Sequence, residues 1–254
     1  MEEFKNNCVK RLNESIVSKT LYGILAGMFI AFAGFGSAVL SSNIADPGLA
    51  KLLSGVIFSS GLIMIVISGS HLFTGSVLNI MNIYDKKEKL SLFWKTLIII
   101  YLANLIGSFL IVTLIFFASL NGSFNQTLIE TLINIANKKC NLTFNSALAS
   151  GILCNILVCT AVYLAALTKE VSSKIMAILF PITLFIICGF EHIVANMFFL
   201  PIAFLLKLTG EKVVNLNVSN LFLNNVITVT IGNIVGGFII ASFLYFAHKH
   251  SKST

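Results

Sequence analysis

Glu191, His192 and Asn196 fall within the stretch GFEHIVANMFFLP, Gly189 to Pro201, in the middle of an apolar run from Lys174 to Lys207. Ionisable and amide side chains at bilayer depth cost a few kcal/mol each unless they face a partner or a water-filled cavity, so such a cluster marks a functional site by default. Histidine adds a particular capability. Its unperturbed pKa of about 6.5 lets modest surroundings switch its charge near neutrality, so His192 can donate a hydrogen bond or hand over a proton. A second histidine, His71, lies in a comparable setting, SGSHLFTGS from Ser68 to Ser76. A membrane-embedded enzyme using Glu191, His192 and His71 is the competing chemistry. It lacks an H-E-x-x-H motif and any Cys/His metal spacing, and two of the four histidines, His248 and His250, belong to the tail. No metal and no cofactor are expected.

The elements that must position these residues are membrane spans. Of 254 residues, 57% are hydrophobic and 11% charged, and the mean hydropathy is +0.94, which describes an integral membrane protein and excludes a soluble domain. The net charge of +7 comes from basic residues scattered between apolar stretches; they form no continuous stripe for a phosphate backbone, so no nucleic-acid partner is expected. Five cysteines form no C-x-x-C pair and read as small packing residues. The charged segment to Thr20 runs directly into a full-length apolar span, so no removable signal peptide is expected.

Spans are predicted at about 21–40, 52–83, 96–118, 146–167, 175–206 and 225–247. The fifth comprises 32 residues, and at ~1.5 Å per residue it would reach roughly 48 Å, against a hydrocarbon core of roughly 30 Å. It is too long for one span and too short for two. Gly189 and Pro201 therefore suggest two half-helices meeting through irregular backbone, tolerated in a membrane only where protein or a cavity surrounds it. Leu52 to Ile83 poses the same problem. Lys and Arg outside the spans divide 12 to 5 between the two faces, which places both termini in the cytoplasm. The loop from Ser119 to Asn141 carries an amphipathic stretch, Thr127 to Ala136, expected at the interface. Residues 213–224 are expected to form an external turn.

Internal matches connect the halves. Gly23-Ile24-Leu25-Ala26 pairs with Gly151-Ile152-Leu153-Cys154 at an offset of 128, Asn104-x-x-Gly107 pairs with Asn233-x-x-Gly236 at 129, and His71 and His192 are 121 apart. Their order supports a duplicated three-span unit, repeat 1 at about 20–118 and repeat 2 at about 146–247. Because three is odd, the second copy enters from the opposite face, giving an inverted repeat with a pathway between the paired broken helices. The expected fold is an all-α polytopic membrane protein with six spans, spans 2 and 5 interrupted, forming a single domain over residues 1–254.

GLIMIVISGSHLFTG (Gly61 to Gly75), GILCNILVC (Gly151 to Cys159), GFEHIVANM (Gly189 to Met197) and NNVITVTIGNIVGG (Asn224 to Gly237) closely resemble motifs of the formate/nitrite transporter family, which includes hydrosulfide channels. The resemblance covers nearly the whole chain. It implies an aquaporin-like protomer, a homo-pentamer and one pore per protomer. Carried over by motif position, His192 is the central pore histidine with Glu191 beside it, Thr74 hydrogen-bonds near the pore, and Asn196 lies on the following half-helix. His71, Leu72 and Phe73 belong to the loop interrupting span 2, His71 at the pore centre with His192, Thr74, Glu191 and Asn196, and Leu72 and Phe73 in the apolar constriction with Phe58, Leu62 and Phe185. Lys139 and Lys19 correspond to vestibule lysines, and Asn155 and Asn225 to polar pore positions. One departure stands out: where the family commonly carries an acidic residue, this chain has His71.

The resemblance implies a channel or transporter for a small monovalent anion such as formate, nitrite or hydrosulfide. A bare charge is heavily penalised between apolar rings, so vestibule lysines would concentrate the anion and His192 would donate a hydrogen bond or transiently a proton. Some polar residues fit structural roles better: Asn104 and Asn233 as helix-to-helix hydrogen-bond partners, and Glu191 as a loop brace, because an ionised carboxylate repels anions.

Overall fold

The computed structural model describes residues 1–119, 124–209 and 220–251. Among these residues every regular element is helical: α1 (Glu2–Asn13), α2 (Ile16–Ser41), α3 (Pro47–Ser68), α4 (Phe73–Ser76), a 3-10 turn (Val77–Ile80), α5 (Met81–Tyr84), α6 (Leu90–Ser119), α7 (Gln126–Cys140), α8 (Phe144–Ala166), α9 (Val171–Cys188), α10 (Ile193–Leu208), a π-helical turn (Asn220–Ile227) and α11 (Thr228–Ser251). Among the described residues six helices are long and apolar enough to cross a membrane, and α10 is a shorter apolar helix of 16 residues.

Several spans begin earlier than hydropathy indicates, because their first turns are set by polar caps. Ser15, Asp46 and Thr143 each accept a hydrogen bond from the backbone N–H three residues on, and Pro47 occupies the first turn of α3, where its missing N–H costs nothing. Pro201 does not end a helix as expected. It lies inside α10, and the interruption is confined to Gly189–His192. The two halves also differ after their breaks. The second continues as α10, whereas the first continues as α4, the 3-10 turn and α5, through a sequence in which Thr74, Gly75, Ser76 and Asn79 are poor helix formers.

Each repeat is a three-helix unit in which the first and third spans pack closely, α2 on α6 and α8 on α11, while the interrupted spans α3 and α9 meet at the centre. Glycine makes the close approach possible. A Cβ on Gly107 would stand 2.0 Å from the Ile24 carbonyl oxygen, and one on Gly236 would stand 2.2 Å from the Ile152 carbonyl oxygen. The weak matches at offsets 128 and 129 are therefore the two sides of one contact, made once in each half.

Two further helices dock on this frame. The spacing Phe4, Cys8, Leu12 gives α1 a buried face, which covers the end of the bundle where Lys5 donates to Asp85 at 2.7 Å and Tyr245 donates to the same carboxylate at 2.7 Å. Sequence reading took this segment only as charged and assigned it no element. The expected amphipathic stretch is α7, longer than anticipated, and its Leu128, Leu132, Ile133 and Ala136 are buried. It packs mainly against α10 and also against α2. Most of the turn expected at 213–224 lies outside the described residues; its end, from Asn220, belongs to the π-helical turn.

The glycine contacts generate a direct expectation. Gly107→Val and Gly236→Val place methyl groups against backbone, which cannot yield as a side chain can. Each should lower the thermal unfolding temperature of the detergent-solubilised protein by more than Gly36→Ala, whose new Cβ meets the Ile57 side chain at 3.3 Å. Unfolding monitored by intrinsic fluorescence or circular dichroism reads the difference, and equal effects would contradict the packing.

Candidate pore and its polar frame

Both interrupted spans break in the same way. α3 and α9 each end in a left-handed glycine, Gly69 at φ 75° and Gly189 at φ 71°, a conformation glycine adopts without the penalty of a Cβ. The next residue closes the helix end, Ser70 N–H donating to the Ile65 carbonyl at 2.9 Å and Phe190 N–H to that of Phe185 at 3.0 Å. The chain then runs extended to a second helix start at Phe73 and at Ile193.

The backbone groups freed by each break must find partners inside the protein, because hydrocarbon offers none. One asparagine per half supplies them. Asn104 on α6 donates to the Gly23 carbonyl at 2.8 Å and the His71 carbonyl at 2.9 Å, and accepts from Phe73 N–H at 2.9 Å. Asn233 on α11 donates to the Gly151 carbonyl at 2.8 Å and the Glu191 carbonyl at 3.0 Å, and accepts from Ile193 N–H at 2.9 Å. A further loop N–H in each half also corresponds: His71 donates to the Tyr22 carbonyl at 3.2 Å and Glu191 to Ser150 Oγ at 3.0 Å.

This equivalence corrects the pairing of the two histidines. His71 corresponds to Glu191, and the counterpart of His192 is Leu72; both of the latter are N-caps of their half-helices. The register follows from the asparagine contacts, whereas the coincidence of histidines at 121 was one residue off.

The side chains of the expected pore residues separate into three groups. Phe58, Leu62, Leu72, Phe185 and His192 line one small central void of about 10 Å³, together with Ile30, Val158 and Ile182. That is room for about one water molecule. Phe58 and Phe185 meet edge to face at 5.7 Å, and the Phe185 ring lies 6.1 Å from that of His192. Leu62 and Leu72 also wall a cavity of about 240 Å³ beneath α1, into which Arg11, Lys169 and Lys174 project. Those three cations had been counted only as topological charges. Phe73 does not join the constriction. One position along the helix from Leu72, it turns toward α6 and packs edge to face on Tyr101 at 5.0 Å.

His192 holds the second half-helix and the pore at once. Its Nδ1 accepts from the Ala195 N–H at 3.2 Å, capping α10, so the neutral ring carries its proton on Nε2. That Nε2–H donates to Thr74 Oγ1 at 2.8 Å, which leaves the Thr74 hydroxyl hydrogen able to donate in turn. Thr74 is held from behind, its carbonyl accepting from Asn155 at 3.3 Å and from the Cys159 thiol at 3.4 Å.

Glu191 does not face the void. Its carboxylate accepts from Lys139 at 3.0 and 3.1 Å, from Asn196 at 2.8 Å and from Asn225 at 3.2 Å. Asn196 and Asn225 bond to each other at 2.6 Å. Lys139 is thereby committed to a nearly buried ion pair. Lys19 is likewise engaged, donating to the Leu12 carbonyl at 2.6 Å. His71 lies away from His192: its Nε2 is 2.7 Å from a Glu14 carboxylate oxygen at the turn between α1 and α2. The enzyme constellation of Glu191, His192 and His71 is therefore dispersed, each residue bonded to a different partner.

Inverted repeats, paired broken helices and a void lined by apolar rings and one imidazole donor define a membrane transport protein. The sequence signature described as "Formate/nitrite transporter" matches residues 1–247, and the chain belongs to the formate/nitrite transporter family. It is 34% identical over 253 residues to the formate channel FocA of Haemophilus influenzae, covering 92% of this chain and 88% of that one. With the probable formate transporter of Methanothermobacter thermautotrophicus it shares 35% identity over 241 residues, covering 87% and 85% respectively. Among solved structures, a pentameric formate channel with formate bound superposes with a TM-score of 0.83 at 32% identity, covering 92% of this chain and 97% of that chain. An FNT family ion channel superposes at 0.82 with 25% identity, covering 96% of each.

The asparagine frame leads to a stability prediction. Asn104→Ala or Asn233→Ala strands two buried carbonyls and one buried N–H, and each unsatisfied group costs roughly 1–3 kcal/mol. Both variants should unfold at clearly lower temperature than Asn13→Ala on the surface, measured by thermal denaturation in detergent; parity among the three would count against the frame.

Proposed function

We propose that this chain passes a small monovalent anion, formate, nitrite or hydrosulfide, across the cytoplasmic membrane through a pore within each protomer of a homo-pentamer, with both termini in the cytoplasm. Relatives named as formate channels and a neighbour described as a pentameric formate channel support the substrate class and the assembly. The 12-to-5 division of basic residues supports the orientation. The observation that carries the reading is the polar group at the constriction: His192, bonded to Thr74 at 2.8 Å, is the polar side chain lining a void otherwise ringed by apolar ones.

The path follows from chemistry. Arg11, Lys169 and Lys174 outnumber the one carboxylate, Glu3, that lines the cavity beneath α1, and raise the local anion concentration there. Beyond Leu62 and Leu72 the anion leaves water, where an isolated charge is heavily penalised. The Thr74 hydroxyl hydrogen, left free by the bond its oxygen accepts from His192 Nε2–H, replaces part of its hydration, and the N-terminus of α10 adds partial positive charge. A void for about one water cannot hold formate, which has three heavy atoms, so Phe58, Leu62, Leu72 or Phe185 must change rotamer for passage.

His192 can also protonate the anion transiently, forming a neutral acid that crosses the Phe58–Phe185 contact more readily. For this the ring must first take a second proton at Nδ1. That proton displaces the Ala195 N–H, so protonation is coupled to loosening of the first turn of α10. The membrane-enzyme reading is set aside, since the family and the structural neighbours are transporters and channels.

Proteoliposomes loaded with formate, nitrite or hydrosulfide test the proposal. Protein-dependent efflux of at least one is expected; leakage equal to that of protein-free vesicles would remove the transport reading. In the same assay Phe185→Ala, which empties one side of the constriction, should raise flux several-fold or relax discrimination by size. Phe243→Ala, on a side chain 72% exposed on the outer face of α11, should leave both unchanged.

A further inference from the structure

The two loops are braced from the side by acid–base pairs, and the acid and the base have exchanged places between them. In the second half the loop residue is the acid: Glu191 is paired with Lys139, near the end of the helix preceding α8. In the first half the residue equivalent to Glu191 through the asparagine frame is His71, and its partner is Glu14, between α1 and α2. Both partners enter from the segment just before the first span of their repeat, Glu14 two residues before α2 and Lys139 five before α8. Placement is thus preserved and charge is exchanged. His71 and Glu191 are both buried, and Glu14 and Lys139 are more accessible at 27% and 12% side-chain exposure.

We propose that Glu14 is the positioning residue of the first pore loop, its carboxylate serving His71 as the Lys139 ammonium serves Glu191, and that this makes the mouth beneath α1 the proton-sensitive one. His71 carries the backbone carbonyl bound by Asn104 and stands two residues before Phe73, so fixing its ring fixes the approach to Leu72 and Thr74. Besides Glu14, the charged groups facing His71 are Arg11 from α1 and Lys19 from α2, and the Tyr22 ring lies 5.3 Å from the imidazole. Burial raises the Glu14 pKa, but the hydrogen bond and charge of His71, the Ser18 hydroxyl and Arg11 outweigh it and hold the carboxyl below its ordinary value. Glu14 therefore stays ionised through neutral pH. The imidazole is the member that takes up a proton on acidification; burial and the Arg11 and Lys19 charges hold that uptake to the acid side of the ordinary histidine range, against the pull of Glu14. Once protonated, His71 adds one positive charge beside Arg11 and Lys19, which draws anions in, and turns its hydrogen bond to Glu14 into a charged one.

The proposal uses the channel reading only for its flux measurement. The test is a charge-reversal cycle on the full-length protein: Glu14→Lys, His71→Glu and the double variant, which recreates the polarity of the second half. Each single variant should lose about tenfold in formate flux, corresponding to ~1.4 kcal/mol, and should melt at lower temperature. The double variant should recover flux to within about twofold of wild type, the sign of a coupled pair. It should also recover the melting temperature. Its flux should no longer respond to acidification of the face carrying the N-terminus through the pH 5 to 8 range. Losses in the double variant equal to the combined single losses would overturn the proposal. The melting cycle needs no anion, so it decides the pairing even if wild-type vesicles conduct nothing, an outcome that would instead sink the channel reading. If the reversed single variants fail to assemble, Glu14→Gln replaces them. It is expected to lower flux and alter its dependence on pH at that face; wild-type flux and an unchanged pH profile would overturn the assignment.

Discussion

A helix broken inside a bilayer exposes backbone donors and acceptors where no water can reach them, and the rest of this structure depends on how that cost is met. Asn104 and Asn233 meet it by tying three strands of the fold together: the opening helix of each repeat through Gly23 or Gly151, and both sides of the break through His71 and Phe73 or Glu191 and Ile193. The glycine contacts belong to the same arrangement. An asparagine side chain is short, and it can bridge α6 to α2, or α11 to α8, only because Gly107 and Gly236 let those backbones touch.

Once the breaks are fixed, the chemistry of the constriction follows with little freedom. The second break delivers His192 as the N-cap of α10, which commits Nδ1 to the Ala195 N–H and directs Nε2–H toward Thr74. The first delivers Leu72 at the equivalent place, so the two inverted halves present a donor and an apolar wall to the same void. Duplication thus produced a symmetric scaffold with an asymmetric lining. The charged residues around it serve mostly as braces. Glu191 is neutralised by Lys139 and two asparagine amides, which keeps a negative charge from opposing an anion only a residue away from His192.

Spans, breaks and duplication were legible because hydropathy, length and glycine placement carry them directly. The pairs Gly23-Ile24 with Gly151-Ile152 and Asn104-x-x-Gly107 with Asn233-x-x-Gly236 looked weak separately, since each is common in membranes; the structure shows that they touch. Phe58, Leu62, Leu72, Phe185 and His192 converge on one void, while Phe73, adjacent to Leu72, does not. Sequence position cannot decide which way neighbouring residues of a one-turn helix project. Glu191 was legible as a loop brace, but the partners in the braces were not, because Glu14–His71 and Lys139–Glu191 join residues 57 and 52 positions apart. Helix α1 was overlooked because its polar residues dominate its hydropathy, although Phe4, Cys8 and Leu12 already mark a buried face.

The central claim is that the cap on α10 selects the tautomer of His192 and so places an N–H donor in the constriction. Nitrogen-15 magic-angle-spinning NMR of histidine-labelled protein in lipid, with His192 assigned by its loss in His192→Asn, measures this directly. At neutral pH the account predicts a neutral ring with hydrogen on Nε2 and a hydrogen-bonded, unprotonated Nδ1. A resting ring with hydrogen on Nδ1, or one protonated at both nitrogens, would contradict it.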